Sequence, residues 1–329
     1  MVYLNKKNFF IFLLLFLAIF LLAGKFSKTV EVKNKSLWGK ITAFWSPKEN
    51  SNSQEEELNK NFPVPIKETD RFNTLLLGIR GSEDTENGGL LSDSIMLFSS
   101  DKTTGKLSLV SIPRDLYVNL YGIVKGKTNE IYEKGLIKKN AMEFTKNAFS
   151  RITGVYIDNL IVFDFEGFKE IVDAIGGIEV DLKQPFEEKN QWGYEFSLPA
   201  GKNHFDGETA LYYTRSRYSS SDFDRSRRQQ EVIFAIKEKA LSLGILSNPL
   251  KINILIASLK NNIETDFNIL DIKSLLDLAL DLNSSSNKLE TKTMSTENVL
   301  FQTTQDDLYI LLPQNNDWSL IRNFFNDKK

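Results

Sequence analysis

Three short apolar runs lie close together near the start of the globular sequence, and no other feature restricts the fold as tightly. They are FNTLLLGI at 72–79, SDSIMLFSS at 92–100 and KLSLVSI at 106–112, with the glycine- and acid-rich loop RGSEDTENGG between the first two. Each has the length and bounding residues of a buried strand. NLIVFDF at 159–165 is a fourth, preceded by an amphipathic helix pattern at 141–154 that ends on glycine. FEGFKEIVDAIGG at 165–177 reads as a short helix with a glycine stop, and IEVDL at 178–182 as another strand. Beyond Gln230 the pattern is mainly helical, at 231–244, 249–262 and 269–282. Strand candidates at 289–295 and 308–313 and a last helix at 318–325 complete the chain. Strands alternating with helices predict an α/β domain with a mixed central sheet. No linker divides it, so 69–329 is read as one domain.

Ahead of that domain, Phe9 to Gly24 form an unbroken apolar run. As a helix it spans about 24 Å at ~1.5 Å per residue, a little short of the ~30 Å hydrocarbon core. Lys6, Lys7, Lys25 and Lys28 can snorkel to cover the difference. A cleaved signal peptide is the rival reading, but LLAGKFSKTV offers no small-x-small cleavage site. The expected organisation is a short cytoplasmic tail at 1–8, a single transmembrane helix at 9–24 and a stalk at 25–68. Trp38, Phe44 and Trp45 suit a membrane interface, and 46–61 is polar. Lysines flank the span on both sides, so charge alone does not orient it.

A formal net charge of −2 argues against a non-specific nucleic-acid binder. With no cysteine, thiolate zinc sites and cysteine nucleophiles are out of reach, and the single histidine, His204, argues against Ser-His-Asp chemistry and a multi-histidine metal site. Chemistry is left to carboxylates, lysines, arginines and a hard metal ion. Five of the 10 arginines (Arg215, Arg217, Arg225, Arg227 and Arg228) fall in DGETALYYTRSRYSSSDFDRSRRQQ, residues 206–230. A guanidinium binds phosphate or carboxylate bidentately, which lysine cannot copy, so this stretch predicts a local anion site.

Taken as a strand, Tyr212 to Arg217 would put Arg215 and Arg217 on one face. Asp222 or Asp224 would cap a helix starting near Arg225. On that helix Arg225, Gln229, Val232 and Ile236 share a face, Arg228 lies to one side, and Arg227 points away as a surface charge. Two strand and two helix arginines would then meet at a helix N-terminus, a clamp of pyrophosphate size. An ordinary salt-bridged face built with Asp222 and Asp224 is the competing reading.

LLLG (75–78), SDSIML (92–97), SIPRD (111–115), KTN (127–129), VFDFEGF (162–168), IVDAIGGIEV (171–180), FDG (205–207), YTRSR (213–217) and DFDRSRRQQ (222–230) occur in order, and in this the chain resembles the LytR-CpsA-Psr family. The resemblance implies an α-β-α sandwich with a hydrophobic groove for a polyprenyl tail. It implies a membrane-anchored phosphotransferase, its domain on the extracytoplasmic side, that moves a glycopolymer from a polyprenyl-pyrophosphate carrier to peptidoglycan through a phosphodiester. Membrane lipid is then a partner and nucleic acid is not. Carried over by position, Arg114, Lys127, Arg215, Arg217, Arg225, Arg228 and Gln229 are expected at the pyrophosphate, with Asn129 and Asp222 supporting them. Asp93, Arg114 and Arg225 are expected to be catalytic, and Asp93 to hold a divalent ion, usually Mg²⁺.

One departure stands out. The family pattern has an aspartate two residues after the glycine of LLLG, where this chain has Arg80, and the arginine before Ser-Asp is replaced by Leu91. Glu83 or Asp84 would have to supply the second carboxylate, or Asp93 and phosphate oxygens would hold the ion with water. Arg80 is also placed to stand in for the missing arginine. The alternatives are a catalytically weakened polyprenyl-phosphate-binding envelope protein and a pyrophosphatase of the lipid carrier. His204, Asp164 and Asp173 are read as structural, and Gly176 and Gly177 as a helix stop.

Overall fold

The computed structural model describes residues 61–81, 88–101, 103–243, 262–266 and 289–326. The apolar run at 9–24, nearly all of the stalk, Glu83, Asp84 and the helices expected at 249–262 and 269–282 lie outside the described residues, apart from Asn262. No helix among the described residues is long and apolar enough to cross a membrane.

A six-stranded mixed sheet forms the centre. Its strands are β1 (Arg71–Ile79), β2 (Ser92–Asp101), β3 (Leu107–Ser111), β6 (Asn159–Phe163), β11 (Ile263–Thr265) and β12 (Leu289–Thr293). They run in the order β11-β6-β1-β2-β3-β12. The β1–β6 and β3–β12 pairs are parallel and the other three are antiparallel. The three apolar runs are therefore the middle of the sheet, where side chains are buried on both faces.

Alternation along the strands sends odd and even residues to different layers. Leu75, Leu77 and Ile79 enter one core with Leu97, Val110, Leu160 and Val162. That core is covered by α2 (Ala141–Thr153), through Ala148, Phe149 and Ile152, and by the C-terminal α6 (Trp318–Asn326), through Ile321 and Phe325. Gly154 ends α2 in the left-handed region at φ 72°. A Cβ there would meet Arg322 Cγ at 2.7 Å, so glycine is needed for shape as well as for the turn. The opposite face is covered by α3 (Phe165–Ala174), α4 (Gly207–Arg215) and α5 (Asp222–Ser242). Helices thus flank a mixed sheet on both sides.

The smaller elements are hairpins. β4 (Tyr117–Leu120) pairs with β5 (Val124–Lys127), which leads through a short 3₁₀ turn into α1 (Ile131–Ile137). β7 (Ile178–Leu182) pairs with β10 (Gly201–Phe205) outside the central sheet, and β8 (Phe186–Glu188) with β9 (Phe196–Leu198). β13 (Leu300–Gln305) and β14 (Leu308–Pro313) close on Asp306 and Asp307, both at positive φ.

The stretch expected as a strand at 212–217 is a helix followed by a turn. Asp206 caps α4 by accepting from the Thr209 N–H at 2.8 Å, and Ala210, Leu211, Tyr213 and Thr214 pack inward at helical spacing. Cap and packing together outweigh the local strand preference of the Tyr-Tyr-Thr triplet. The cap of α5 also differs from expectation. Ser221 accepts from the Asp224 N–H while Asp224 accepts from the Ser221 N–H, each at 3.1 Å, so the two form a reciprocal box one residue earlier.

Candidate functional site

Between the even-numbered face of the sheet and helices α3 to α5 lies a cavity of about 430 Å³. Three elements line it in parallel, and each changes character along its length. On β1 the lining residues are Leu76 and Gly78, with Arg80 just past its end, and on β2 they are Met96, Ser94 and Asp93. On α5 they are Ile236, Ile233, Gln229 and Arg225. Leu76 sits opposite Met96 and Gly78 opposite Ser94, which fixes the apolar end. Arg225 donates to the Asp93 carbonyl at 3.1 Å, which fixes the charged end. Four residues of strand rise about 13 Å and eleven of helix about 16 Å, so both elements span the same gradient. Phe163, Phe168, Ile171 and Leu211 add to the apolar wall.

A bulge aims Asp93. Gly78 pairs with Ser94 but Ile79 pairs with Ser92, leaving Asp93 as the extra residue of β2. By plain alternation its side chain would follow Ile95 and Leu97 into the sealed core. The bulge turns it into the cavity instead, where its carboxylate accepts from Arg114.

Arg114 leaves the end of β3 in a turn held by the KTN segment. Thr128 Oγ1 donates to the Pro113 carbonyl at 2.8 Å, and the Asn129 N–H donates to the Arg114 carbonyl at 3.2 Å. Lys127 Nζ lies 2.7 Å from Asp115 Oδ1. Lys127 and Asn129 are not among the lining residues; they fasten the turn that carries Arg114.

The arginine stretch divides by role. Arg215, the last residue of α4, points into the cavity between the Phe165 and Trp192 rings, 4.1 and 4.9 Å from their centroids. Arg217 lines the cavity from the turn after α4, so the two do not share a strand face. Gln191, which sequence reasoning missed, positions both by accepting from the Arg217 N–H at 2.7 Å and donating to the Arg215 carbonyl at 3.1 Å. Buried Glu188 holds the same turn through the N–H groups of Tyr218 and Ser219. No motif flagged Gln191 or Glu188; both act only because β8 and its loop fold back onto α4.

Arg228 is buried but does not line the cavity. It donates to the Tyr213 carbonyl at 2.9 Å, to the Ser216 carbonyl and to Ser220 Oγ at 3.0 Å, and so closes the C-terminal end of α4. Gln229 lines the cavity and reaches the Thr214 carbonyl at 3.4 Å. Asp222 pairs with Arg225 at 2.7 Å. Arg227 is exposed and pairs with Asp224 and Glu297, as a surface charge should.

Electrostatically the cavity is poised for an anion. Among the described residues lining it, five are arginines (Arg80, Arg114, Arg215, Arg217, Arg225) and one, Asp93, is a carboxylate. Burial, and then the Arg80 charge, lowers the Arg215 pKa to about 10. Burial and Arg225 lower that of Arg114, and burial lowers that of Arg225. All three remain cations at neutral pH, held together against their mutual repulsion. The Nε atoms of Arg114 and Arg225 are buried with no hydrogen-bond acceptor among the described residues, donors whose natural partner is an anionic oxygen.

A cation fits the described residues less well. No group of three or more His, Cys, Asp or Glu among them comes together as a metal site. Asp93 is the one carboxylate among the described residues lining the cavity, and Arg114 engages its Oδ1. The described donors therefore do not assemble a divalent-cation site by themselves.

Asp164 caps α3 by accepting from the Gly167 N–H at 2.8 Å. Asp173 accepts from the Gly207 N–H at 2.7 Å, fastening α3 to the start of α4. His204 is exposed and sits 2.8 Å from Glu179 across the β7–β10 ladder. Gly176 and Gly177, both at φ 76°, stop α3.

The LytR_cpsA_psr family model matches residues 37–319. The polyisoprenyl-teichoic acid–peptidoglycan teichoic acid transferase TagU of Enterococcus faecalis is 33% identical over 237 residues, 71% of this chain and 73% of that protein. TagV of Bacillus subtilis, named for the same transfer, is 32% identical over 60% of this chain, which spans half of that protein's length. The crystal structure of B. subtilis TagV superposes with a TM-score of 0.61 at 26% identity, covering 79% of this chain and 97% of that one. TagT bound to LI-WTA gives 0.59 at 21% identity over 80% and 94%, a likeness of fold.

Proposed function

The chain belongs to the LytR_cpsA_psr family, and on that premise we propose that it is a phosphotransferase joining a polyprenyl-pyrophosphate-linked glycopolymer to peptidoglycan. The observation that carries this reading is the gradient in the cavity. One end is walled by Leu76, Met96, Ile233 and Ile236, and the other is ringed by Arg80, Arg114, Arg215, Arg217 and Arg225. A lipid tail joined to a pyrophosphate has the same two-part character. The names of the relatives support teichoic acid as the class of polymer.

In this reading the tail lies along the apolar wall and the diphosphate among the guanidiniums. The acceptor hydroxyl oxygen attacks the phosphorus that carries the glycan. A new P–O bond forms, the bond from that phosphorus to the bridging oxygen breaks, and polyprenyl phosphate leaves. The acceptor proton passes to Asp93, whose Oδ1 is held by Arg114. Phosphoryl transfer asks mainly for positioning and neutralisation of charge on the phosphate oxygens, which the guanidiniums supply. Residues 9–24 would anchor the domain outside the membrane, where lipid carrier and wall meet.

The test is transfer of a lipid-linked glycan to peptidoglycan by the purified full chain in detergent. Arg225→Ala should reduce the rate about 10²–10³-fold. Undiminished transfer by that variant, or release of phosphate to water with no product on the acceptor, would sink the reading.

A further inference from the structure

Of the described residues lining the cavity, Arg217 and Tyr218 are the two that stand exposed, so they mark where its arginine end opens to solvent. Tyr218 keeps 63% of its surface in water. Burial leads in lowering the pKa of Arg114 and of Arg225, and the Arg217 charge adds to it in both. Tyr218 therefore follows, in the chain and in space, a guanidinium that reaches the charged end of the cavity.

A single exposed aromatic ring is ordinary on a protein surface. What sets this one apart is its mounting. The Arg217 N–H donates to Gln191 Oε1 at 2.7 Å, and the N–H groups of Tyr218 and Ser219 both donate to Glu188 Oε2, at 3.0 and 3.1 Å. The Ser220 N–H closes the turn onto the Arg217 carbonyl at 3.2 Å. A buried carboxylate thus holds the backbone that carries an exposed ring. The other rings at this end are already engaged. Trp192 is stacked on Tyr212 with centroids 4.9 Å apart, and it and Phe165 flank Arg215. The Tyr218 centroid lies 6.0 Å from the Arg217 guanidinium carbon, at the outer limit of a cation–π contact.

With a lipid tail on the apolar wall and a diphosphate among the guanidiniums, whatever is joined to the far phosphate leaves past Arg217 and Tyr218. In a lipid-linked glycan that group is a sugar. A pyranose offers an apolar face of C–H bonds that packs on an aromatic ring, and a rim of hydroxyls that stays in water. Phosphate and sugar face are neighbours in such a ligand, as Arg217 and Tyr218 are neighbours in the turn. We propose that Tyr218 is the platform on which the first sugar of the lipid-linked glycan stacks, a sugar subsite continuous with the diphosphate clamp. The inference rests on the functional reading above and deepens it: the site reads the sugar end of its donor as well as the lipid and the diphosphate.

The probes are two diphosphate diesters with a geranyl tail, one ending in a methyl group and the other in glucose, so that tail and charge are the same. Each is titrated calorimetrically, with Mg²⁺ present, into the full chain in detergent. The wild type should bind the glucosyl ester about 3–10-fold more tightly. Tyr218→Ala should bring the glucosyl ester down to the affinity of the methyl ester. Tyr218→Phe should keep the preference, because the ring face makes the contact and the hydroxyl does not. Equal wild-type affinity for the two esters, or a preference that survives Tyr218→Ala, overturns the inference while the functional reading stands. A Tyr218→Ala loss shared equally by both esters also overturns it, since the ring would then serve the diphosphate. Loss of the preference in Tyr218→Phe would replace stacking by a hydroxyl hydrogen bond and overturn it as well. Failure of the wild type to bind either ester removes the functional reading and this one with it.

Discussion

The two faces of the central sheet are made by the same strands yet are finished differently. On one, Leu75, Leu77, Leu97, Val162, Phe149 and Phe325 interlock under α2 and α6 with little or no exposure. On the other, the alternate residues of β1 and β2 meet α3, α4 and α5 across an open cavity, and its charged end concentrates five of the ten arginines. Packing is complete on the first face and stops short on the second, where the cavity opens. The contrast shows how arginines unsuited to a core can be buried here: Arg114 and Arg225 pair with Asp93 and Asp222, and Arg215 lies between two aromatic rings, all at the edge of open space.

Substitutions can break this contrast. Phe149→Ala on the sealed face should cost about 3–5 kcal/mol, read from urea denaturation, because the void it leaves is enclosed. Phe168→Ala on the cavity wall opens onto existing space and should cost only about 1–2 kcal/mol, while weakening geranyl diphosphate binding roughly tenfold. Equal losses of stability at the two sites would show that the faces are not different in kind.

A sharper comparison lies within α5, where Arg225 and Arg228 are one turn apart. Arg225→Ala should act on transfer by about 3–4 kcal/mol of barrier. Arg228→Ala should act on the fold, by about 1–3 kcal/mol, since it strands the Tyr213 and Ser216 carbonyls. Paired melting curves and transfer rates separate them, and a stable but inactive Arg228→Ala protein would put that arginine back at the substrate.

The smallest expected effect is one of pH. Burial raises the Asp164 pKa to about 6, against an ordinary 3.8. The folded state then holds this proton more tightly than the unfolded one, so the group costs stability as pH rises from about 4 through 6. The cost is fully present above 6. Asp164→Asn keeps an acceptor for the Gly167 N–H and should flatten that slope, seen as melting temperatures between pH 4 and 7 that change less than in the wild type.

Much of this was legible before any coordinates. The apolar runs became β1, β2, β3 and β6 because their composition suits burial on both sides, and Arg225 and Gln229 share the cavity because helical spacing puts them on one face. What escaped was whatever depends on elements meeting. Tyr212 to Arg215 look strand-like locally and are helical because Asp206 caps them and their inner face packs. Asp93 reaches the cavity through one unpaired residue in a ladder, which has no composition to betray it. Arg228 sits near the cavity face on a helical wheel, but its guanidinium finds carbonyl oxygens on α4 that only the assembled structure presents. The β13–β14 hairpin turns on Asp-Asp where a glycine would have announced it.

The alternation of β1 has a consequence for how such a protein can diverge. Residues 75, 77 and 79 belong to the sealed core, while 76, 78 and 80 line the cavity. Heritable change can therefore accumulate in one register without trespassing on the other. A lineage can exchange one side chain for another just past the end of this strand, and reshape the cavity, while every odd-numbered neighbour stays as it was.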